Sequence, residues 1–314
     1  MLLALVGVVV GLALLTYAAD RFVVGAARLS VTLRLSPVVI GAVVIGFGTS
    51  APEMLVSGIA AAQGSLDIAF GNVVGSNVAN LTLVLGAAAL FTPIAVRSPV
   101  LKREAPLSLV AVLVFALLVQ DGLSGLDAVV LVVVLVAVLV IILRSARDDD
   151  PDLTAEVSEF LDGAPPTTRR EVARTVVGLV GTLAGAWLLV WGARTIAAEL
   201  GMSEAFIGLT VVAVGTSLPE LATALQAARK GETDLIVGNL LGSNLFNATA
   251  VGAVAGGLGP RTLADPSIVG PATLLMVGIS VLATVFMVSG RRVVRWEGAL
   301  LLAFYVATLP LLAG

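Results

Sequence analysis

Residues 46–53 read GFGTSAPE and residues 213–220 read AVGTSLPE; residues 71–77 read GNVVGSN and residues 238–244 read GNLLGSN. Both pairs are separated by 167 positions. The same offset aligns Gly11 with Gly178, Gly25 with Gly192, Gly41 with Gly208, Asp67 with Asp234 and Asn80 with Asn247. One register held without a gap across two motifs is the mark of an internal duplication. The fold must therefore accommodate two copies of one unit, each carrying an acidic, proline-containing motif.

Composition places those units in a bilayer. Apolar residues make up 58% of the 314 residues and charged ones 12%, with a mean hydropathy of +1.08. A soluble domain carries roughly 25% charged residues, so this chain cannot cover a water-facing surface. Apolar runs long enough to cross a bilayer recur between charges, glycines and prolines. They predict ten spans at 2–29, 37–62, 67–91, 102–120, 124–144, 171–198, 205–229, 234–258, 267–288 and 294–312. The first is read as a retained span rather than a signal peptide, having no charged leader and no small-residue cleavage site. Residues 1–144 form the first five-helix repeat and 171–314 the second. Between them, 145–170 is an acidic linker containing Asp148, Asp149, Asp150, Asp152, Glu156, Glu159 and Asp162, followed by Pro165 and Pro166. It reads as a solvated spacer.

Five spans is an odd number, so the second copy must enter the membrane from the opposite side. The expected fold is an all-α polytopic membrane protein with ten transmembrane helices arranged as two inverted five-helix repeats, a transporter architecture whose substrate site lies at the repeat interface. Basic residues set the orientation. With both termini outside, sixteen of the eighteen Arg and Lys residues fall on the cytoplasmic side with the linker, and only Arg194 and Arg261 fall outside. The expected location is the cell membrane.

Glu53 and Glu220 sit deep in spans 2 and 7, where a carboxylate is costly and no basic residue is placed nearby. Asp20, Glu104, Asp127 and Glu297 are expected near helix ends. Two facing carboxylates repel, and a bound cation resolves that conflict. Pro52 and Pro219 each remove a helix hydrogen bond, freeing the carbonyls of Gly48 and Gly215, with Gly46 and Ala213 beside them. Free carbonyls at this depth are tolerated where they line a cavity. Thr49, Ser50, Thr216 and Ser217 add hydroxyls within one turn of each Glu. In the second motif Asp67 and Asp234 suit helix N-termini, and the glycine pairs Gly71/Gly75 and Gly238/Gly242 permit close helix approach. Asn72 and Asn239 are assigned to interhelical bonding. Ser76, Asn80, Ser243 and Asn247 are assigned to the site.

The pooled donors are hard oxygens. There is no cysteine and no histidine, which excludes disulfides, thiolate or imidazole metal sites and the usual general base. Calcium takes such oxygens flexibly, whereas magnesium demands a stricter octahedron and soft metals are disfavoured. Sodium is close to calcium in size and accepts the same ligands. A serine hydrolase built on Ser50 or Ser217 would have only Lys102 and Lys230 as lysine bases, both at membrane edges, so no enzymatic activity is expected.

GTSAPE at 48–53 with GNVVGSN, and GTSLPE at 215–220 with GNLLGSN, closely resemble the two alpha-repeats of the calcium/cation antiporter superfamily, in its prokaryotic sodium/calcium exchanger branch. The resemblance covers most of the chain. It implies a central calcium held by Glu53 and Glu220 with Thr49 and Thr216. It implies flanking sodium positions at the Gly46 and Ala213 carbonyls with Ser50, Ser217, Ser76 and Ser243, and a middle lined by Asn80 and Asn247. Potassium-dependent relatives carry Asp where this chain has Asn247, so potassium cotransport is not expected. By the same resemblance spans 1 and 6 slide across the other eight.

The expected activity is sodium/calcium antiport by alternating access. The alternative is a calcium/proton antiporter, since both glutamates can carry protons. A channel is disfavoured by the inverted repeat. The expected partners are calcium and sodium ions and the lipid bilayer. No cofactor, nucleic acid or obligate protein partner is expected.

Overall fold

The computed structural model describes residues 1–33, 46–96, 102–145, 167–231, 233–259, 262–264 and 269–313. Over these residues the chain is helical, as its apolar runs require: in lipid every backbone polar group must be bonded within the protein, and a helix does so within one segment. The elements are α1 (Leu2–Thr32), α2a (Gly46–Thr49) and α2b (Ala51–Ala62), α3 (Leu66–Phe91), α4 (Glu104–Leu118), α5 (Gly125–Ser145), α6 (Thr168–Leu200), α7a (Glu204–Thr216) and α7b (Leu218–Lys230), α8 (233–258), α9 (Val269–Gly290) and α10 (Arg295–Ala313). The first half of predicted span 2 and most of the acidic linker lie outside the described residues. Among the described residues, the only strands are β1 (Ile94–Ala95) and β2 (Arg292–Val293), an antiparallel pair with Ile94 opposite Val293.

Six of these helices are long and apolar enough to cross a membrane, and α7a with α7b, bent by 43°, makes a seventh. The molecule is an all-α, multi-pass membrane protein. α3 is its centre: every residue from Leu66 to Ala79 is buried. α5, by contrast, turns Leu126, Val129 and Val133 outward, as a lipid-facing helix should.

α1 and α6, counterparts at the 167-residue offset, pack against each other along most of their length. Gly7 meets Trp191, Gly11 meets Leu189 and Gly185, and Gly25 meets Thr175. Residue numbers fall along one helix as they rise along the other, so the pair is antiparallel. Two copies inserted in the same sense would place these helices parallel; the copies are therefore inverted. The approach requires glycine: a β-carbon at Gly11 would lie 2.7 Å from the backbone nitrogen of Leu189. At the end where α1 stops and α6 starts, here termed the linker end, Glu171 ties the helices together. Its Oε1 lies 3.5 Å from Arg28 Nη1 and its Oε2 3.0 Å from Arg174 Nη1. At the opposite end Arg194 pairs with Glu204 at 3.2 Å and donates to the carbonyl of Gln63 at 3.3 Å.

Candidate cation site

Both acidic motifs fold the same way. α2a stops at Ser50 (φ −84°, ψ 4°) and α2b begins one residue later; α7a stops at Ser217 (φ −87°, ψ 4°) and α7b begins one residue later. The sequence predicts a proline kink inside one helix. The structure instead has a break followed by a fresh N-terminus. Pro52 and Pro219 occupy the second position of the new helix, where the missing N–H has no intrahelical partner to lose. Glu53 and Glu220 then fall in the first turn, next to the free N–H groups and positive pole of the helix dipole.

Helices α3 and α8 carry the second motif and share a feature with no sequence signature. Each widens into a π-helical turn, Asn80–Val84 and Asn247–Val251. Such turns are frequent at functional sites, and here each begins on the asparagine assigned to the site. The glycine spacing works as expected in the first copy. β-carbons at Gly71 and Gly75 would lie 2.5 Å from the carbonyl oxygens of Ala205 and Leu209 respectively, so α7a packs backbone-to-backbone on α3. The segment that the offset places against Gly238 and Gly242, residues 38–46, falls almost entirely outside the described residues.

Asn72 organises one side of the site. Its Nδ2 donates to the Glu53 carbonyl at 3.2 Å and to Ser57 Oγ at 2.9 Å. Its Oδ1 accepts from Thr216 Oγ1 at 3.1 Å and from Ser76 Oγ at 3.4 Å. Asn72 thus bonds between helices, as its sequence assignment had it. A second network crosses the repeat interface. Asn80 Nδ2 donates to Asn244 Oδ1 at 3.0 Å, and Asn244 Nδ2 donates to the carbonyl of Asn77 at 3.2 Å. With its nitrogen engaged, Asn80 keeps its amide oxygen free.

Ten buried side-chain oxygens of these motifs have no hydrogen-bond partner: Ser50 Oγ, both of Glu53, Asn77 Oδ1, Asn80 Oδ1, Ser217 Oγ, both of Glu220, Ser243 Oγ and Asn247 Oδ1. Buried polar atoms are ordinarily satisfied. Among the described residues most such orphaned atoms belong to these two motifs. Glu53 is 0% and Glu220 2% exposed, and the two are close enough for their charges to interact. No ion pair involves either among the described residues. Two buried carboxylates whose charges interact, with unsatisfied oxygens on the same helices, are chemistry suited to cations. Of the other predicted ligands, Thr216 and Ser76 bond into the Asn72 network, and Thr49 lines the pocket described next. Gly46 opens α2a. The Ala213 carbonyl already accepts from Ser217 N at 3.0 Å and Thr216 Oγ1 at 3.3 Å. Asp67 reaches away from the site: its Oδ2 accepts from Ala264 N at 2.9 Å, securing the loop before α9.

A pocket leads from this site toward the linker end. Ala19, Asp20 and Val23 of α1, Gly48, Thr49, Pro52, Pro219, Glu220, Thr223 and Asn239 line it. Sequence reasoning missed Asp20, expecting it near a helix end. α1 continues to Thr32, which leaves Asp20 twelve residues short of that end and on the pocket wall. The counterpart positions in the other copy are closed in: Glu53, Asn72 and Thr216 are fully buried, and Leu12 is packed against Gly215.

Comparison with known proteins agrees with this geometry. The family model described as sodium/calcium exchanger protein matches residues 3–144 and 171–313. The protein CaxA of Alkalimonas amylolytica, which carries an antiporter name, is 42% identical over 98% of this chain and 97% of its own. The sodium/calcium exchanger MaX1 of Methanosarcina acetivorans is 32% identical, covering 96% of each chain. A structure of the sodium–calcium exchanger NCX_Mj, soaked with Na+ and Sr2+, superposes with a TM-score of 0.68 at 32% identity over 98% of both chains. The two stretches of family match begin and end close to the limits of the two copies, and the chain belongs to the sodium/calcium exchanger family.

Proposed function

We propose that this protein exchanges sodium for calcium across the cell membrane by alternating access, through one site shared by its two inverted repeats. The observation that carries this reading is the set of ten unpartnered buried oxygens, two carboxylates among them, contributed by both copies. Glu53 and Glu220 hold calcium, balancing its two charges. The free oxygens of Ser50, Ser217, Ser243, Asn80 and Asn247 complete positions that sodium competes for, together with Thr49, Thr216, Ser76 and the carbonyls of Gly46 and Ala213. Calcium accepts six to eight oxygens at flexible geometry, so a lining drawn from four helices suits it. Competition for one lining couples the ions, since a site emptied of both leaves two facing carboxylates unneutralised in a low-dielectric interior.

Access follows the pocket. With the basic residues Arg28, Arg103, Arg144, Arg169, Arg170, Arg174 and Arg229 toward the linker end and Arg194 at the other, the positive-inside rule makes the linker end cytoplasmic. Both termini are then outside, the chain crosses ten times, and the arrangement described here is open to the cytoplasm. Domain limits follow the repeats: 1–144, the linker 145–170, and 171–314. Movement of the α1–α6 pair across the remaining helices, releasing Leu12 from Gly215, would open the other route.

The test is labelled calcium uptake into vesicles reconstituted with the purified protein. Imposed sodium, potassium and proton gradients are applied one at a time. The sodium gradient alone should drive uptake, and Glu53→Gln should abolish it. Uptake driven by the proton gradient alone would replace this reading with calcium/proton antiport.

A further inference from the structure

Asp20 has no part in the lining assigned above, yet it lies in the wall of the pocket that ends on Glu220. An acidic side chain within an apolar span is expensive and is ordinarily kept where it faces water or an ion path. Asp20 is held loosely. Its one ion-pair partner among the described residues is the neighbouring Arg21, at 4.0 Å, and the Arg21 guanidinium lies over the Tyr17 ring, 4.9 Å from its centroid. The Asp20 carboxylate is 68% exposed. Further in, both carboxylate oxygens of Glu220 are buried and without a partner. Thr223 and Asn239 stand on the same wall. The Thr223 hydroxyl donates to the Pro219 carbonyl at 3.0 Å, which leaves its own lone pairs able to accept. The duplication makes the arrangement one-sided: the residue 167 positions after Asp20 is Trp187, so the second copy carries an indole where the first carries a carboxylate.

We propose that Asp20 is a side-specific loading residue, which holds a hydrated calcium ion at the linker-end mouth before it passes to Glu220. The inference rests on the exchanger reading. A single carboxylate with a hydroxyl and an amide cannot replace the water shell of calcium, so the ion waits there hydrated and sheds its waters on reaching the buried oxygens. A fixed charge in a cleft with low-dielectric walls raises the local concentration of counter-ions, and salt screens the effect. It acts on entry from one face only, because the counterpart residue in the other copy, Trp187, is uncharged.

The half-saturating calcium concentration is measured separately at each face in vesicles of defined orientation. Asp20→Asn should raise it about fivefold at the linker face, with maximal rate and the opposite face unchanged; that size is on the order expected for one carboxylate acting over several ångströms in partly screened water. Trp187→Asp should lower it at the opposite face. In the unmodified protein the linker-face value should climb more steeply with ionic strength than the opposite-face value. Equal ionic-strength dependence at both faces overturns the proposal, even if the variants fail to fold. So does an Asp20→Asn protein whose two faces match the unmodified ones. Absence of any sodium-dependent calcium flux in the unmodified protein is a different result: it removes the exchanger reading itself.

Discussion

The Leu12 side chain occupies the space that a β-carbon at residue 215 would need. At the matching break in the other repeat, Gly48 faces Val23 instead, with a β-carbon there 2.8 Å from Val23 Cγ2. α1 therefore lies across both broken helices but meets them eleven residues apart, about 16 Å along its axis. Under the proposed alternating access, two equivalent breaks with unequal neighbours are what one position of a sliding helix pair would leave.

Gly215→Ala should disfavour this position of α1. Overpacking a tight contact costs about 1–3 kcal/mol, enough to shift a two-state balance about tenfold or more. The chain has no cysteine, so Thr223→Cys can be labelled alone through the linker-end pocket. Labelling should slow about tenfold when Gly215→Ala is added and recover when Leu12→Ala is added as well. Unchanged labelling would mean that Leu12 is no part of the seal.

Glu220→Gln should abolish exchange and yet stabilise the ion-free protein. A buried carboxylate without a partner costs several kcal/mol when charged, and an amide of the same shape carries no charge to desolvate. Thermal unfolding in detergent without calcium should occur at a higher temperature for the variant. Added calcium should raise the transition of the unmodified protein and leave that of the variant unmoved.

Asn72→Ala should weaken ion binding although Asn72 is not assigned as a ligand. It positions Thr216, Ser76 and the Glu53 backbone at once, and removing it takes one hydrogen bond from each. Each such loss costs about 0.5–1.5 kcal/mol. The half-saturating calcium concentration should rise roughly tenfold or more from both faces, in contrast to the one-sided effect at Asp20.

Glu171→Ala should destabilise the α1–α6 pair. Glu171 is 1% and Arg28 7% exposed by side chain, so truncating the acid breaks a buried ion pair at a cost of about 3 kcal/mol. Chemical denaturation should show the loss. The double variant Arg28→Met with Glu171→Leu should recover most of it.

Much of this was legible in the chain before its fold. Helix limits such as 67–91 against Leu66–Phe91, and 124–144 against Gly125–Ser145, agree within a residue or so, because apolar runs and charges mark a bilayer directly. The candidate oxygen ligands stand out in the sequence because duplication doubles every signal. Three features do not. The break at Ser50 and Ser217 is one: the spans 37–62 and 205–229 are drawn as continuous helices, since proline marks interruption without saying whether the helix continues or restarts. The π-helical turns at Asn80 and Asn247 leave no local pattern in the sequence. Asp20 is expected near a helix end, yet it lies twelve residues inside α1, which continues to Thr32; an acidic residue in a long apolar run does not announce which wall it faces.

The central claim is that both motifs make one site for which the two ions compete. Equilibrium calcium titration of the purified protein at a series of sodium concentrations tests it most directly, with Glu53→Gln and Glu220→Gln titrated alongside. The account predicts calcium binding that weakens progressively as sodium rises and is lost in either variant. Calcium binding that is indifferent to sodium, or that survives in both variants, would contradict it.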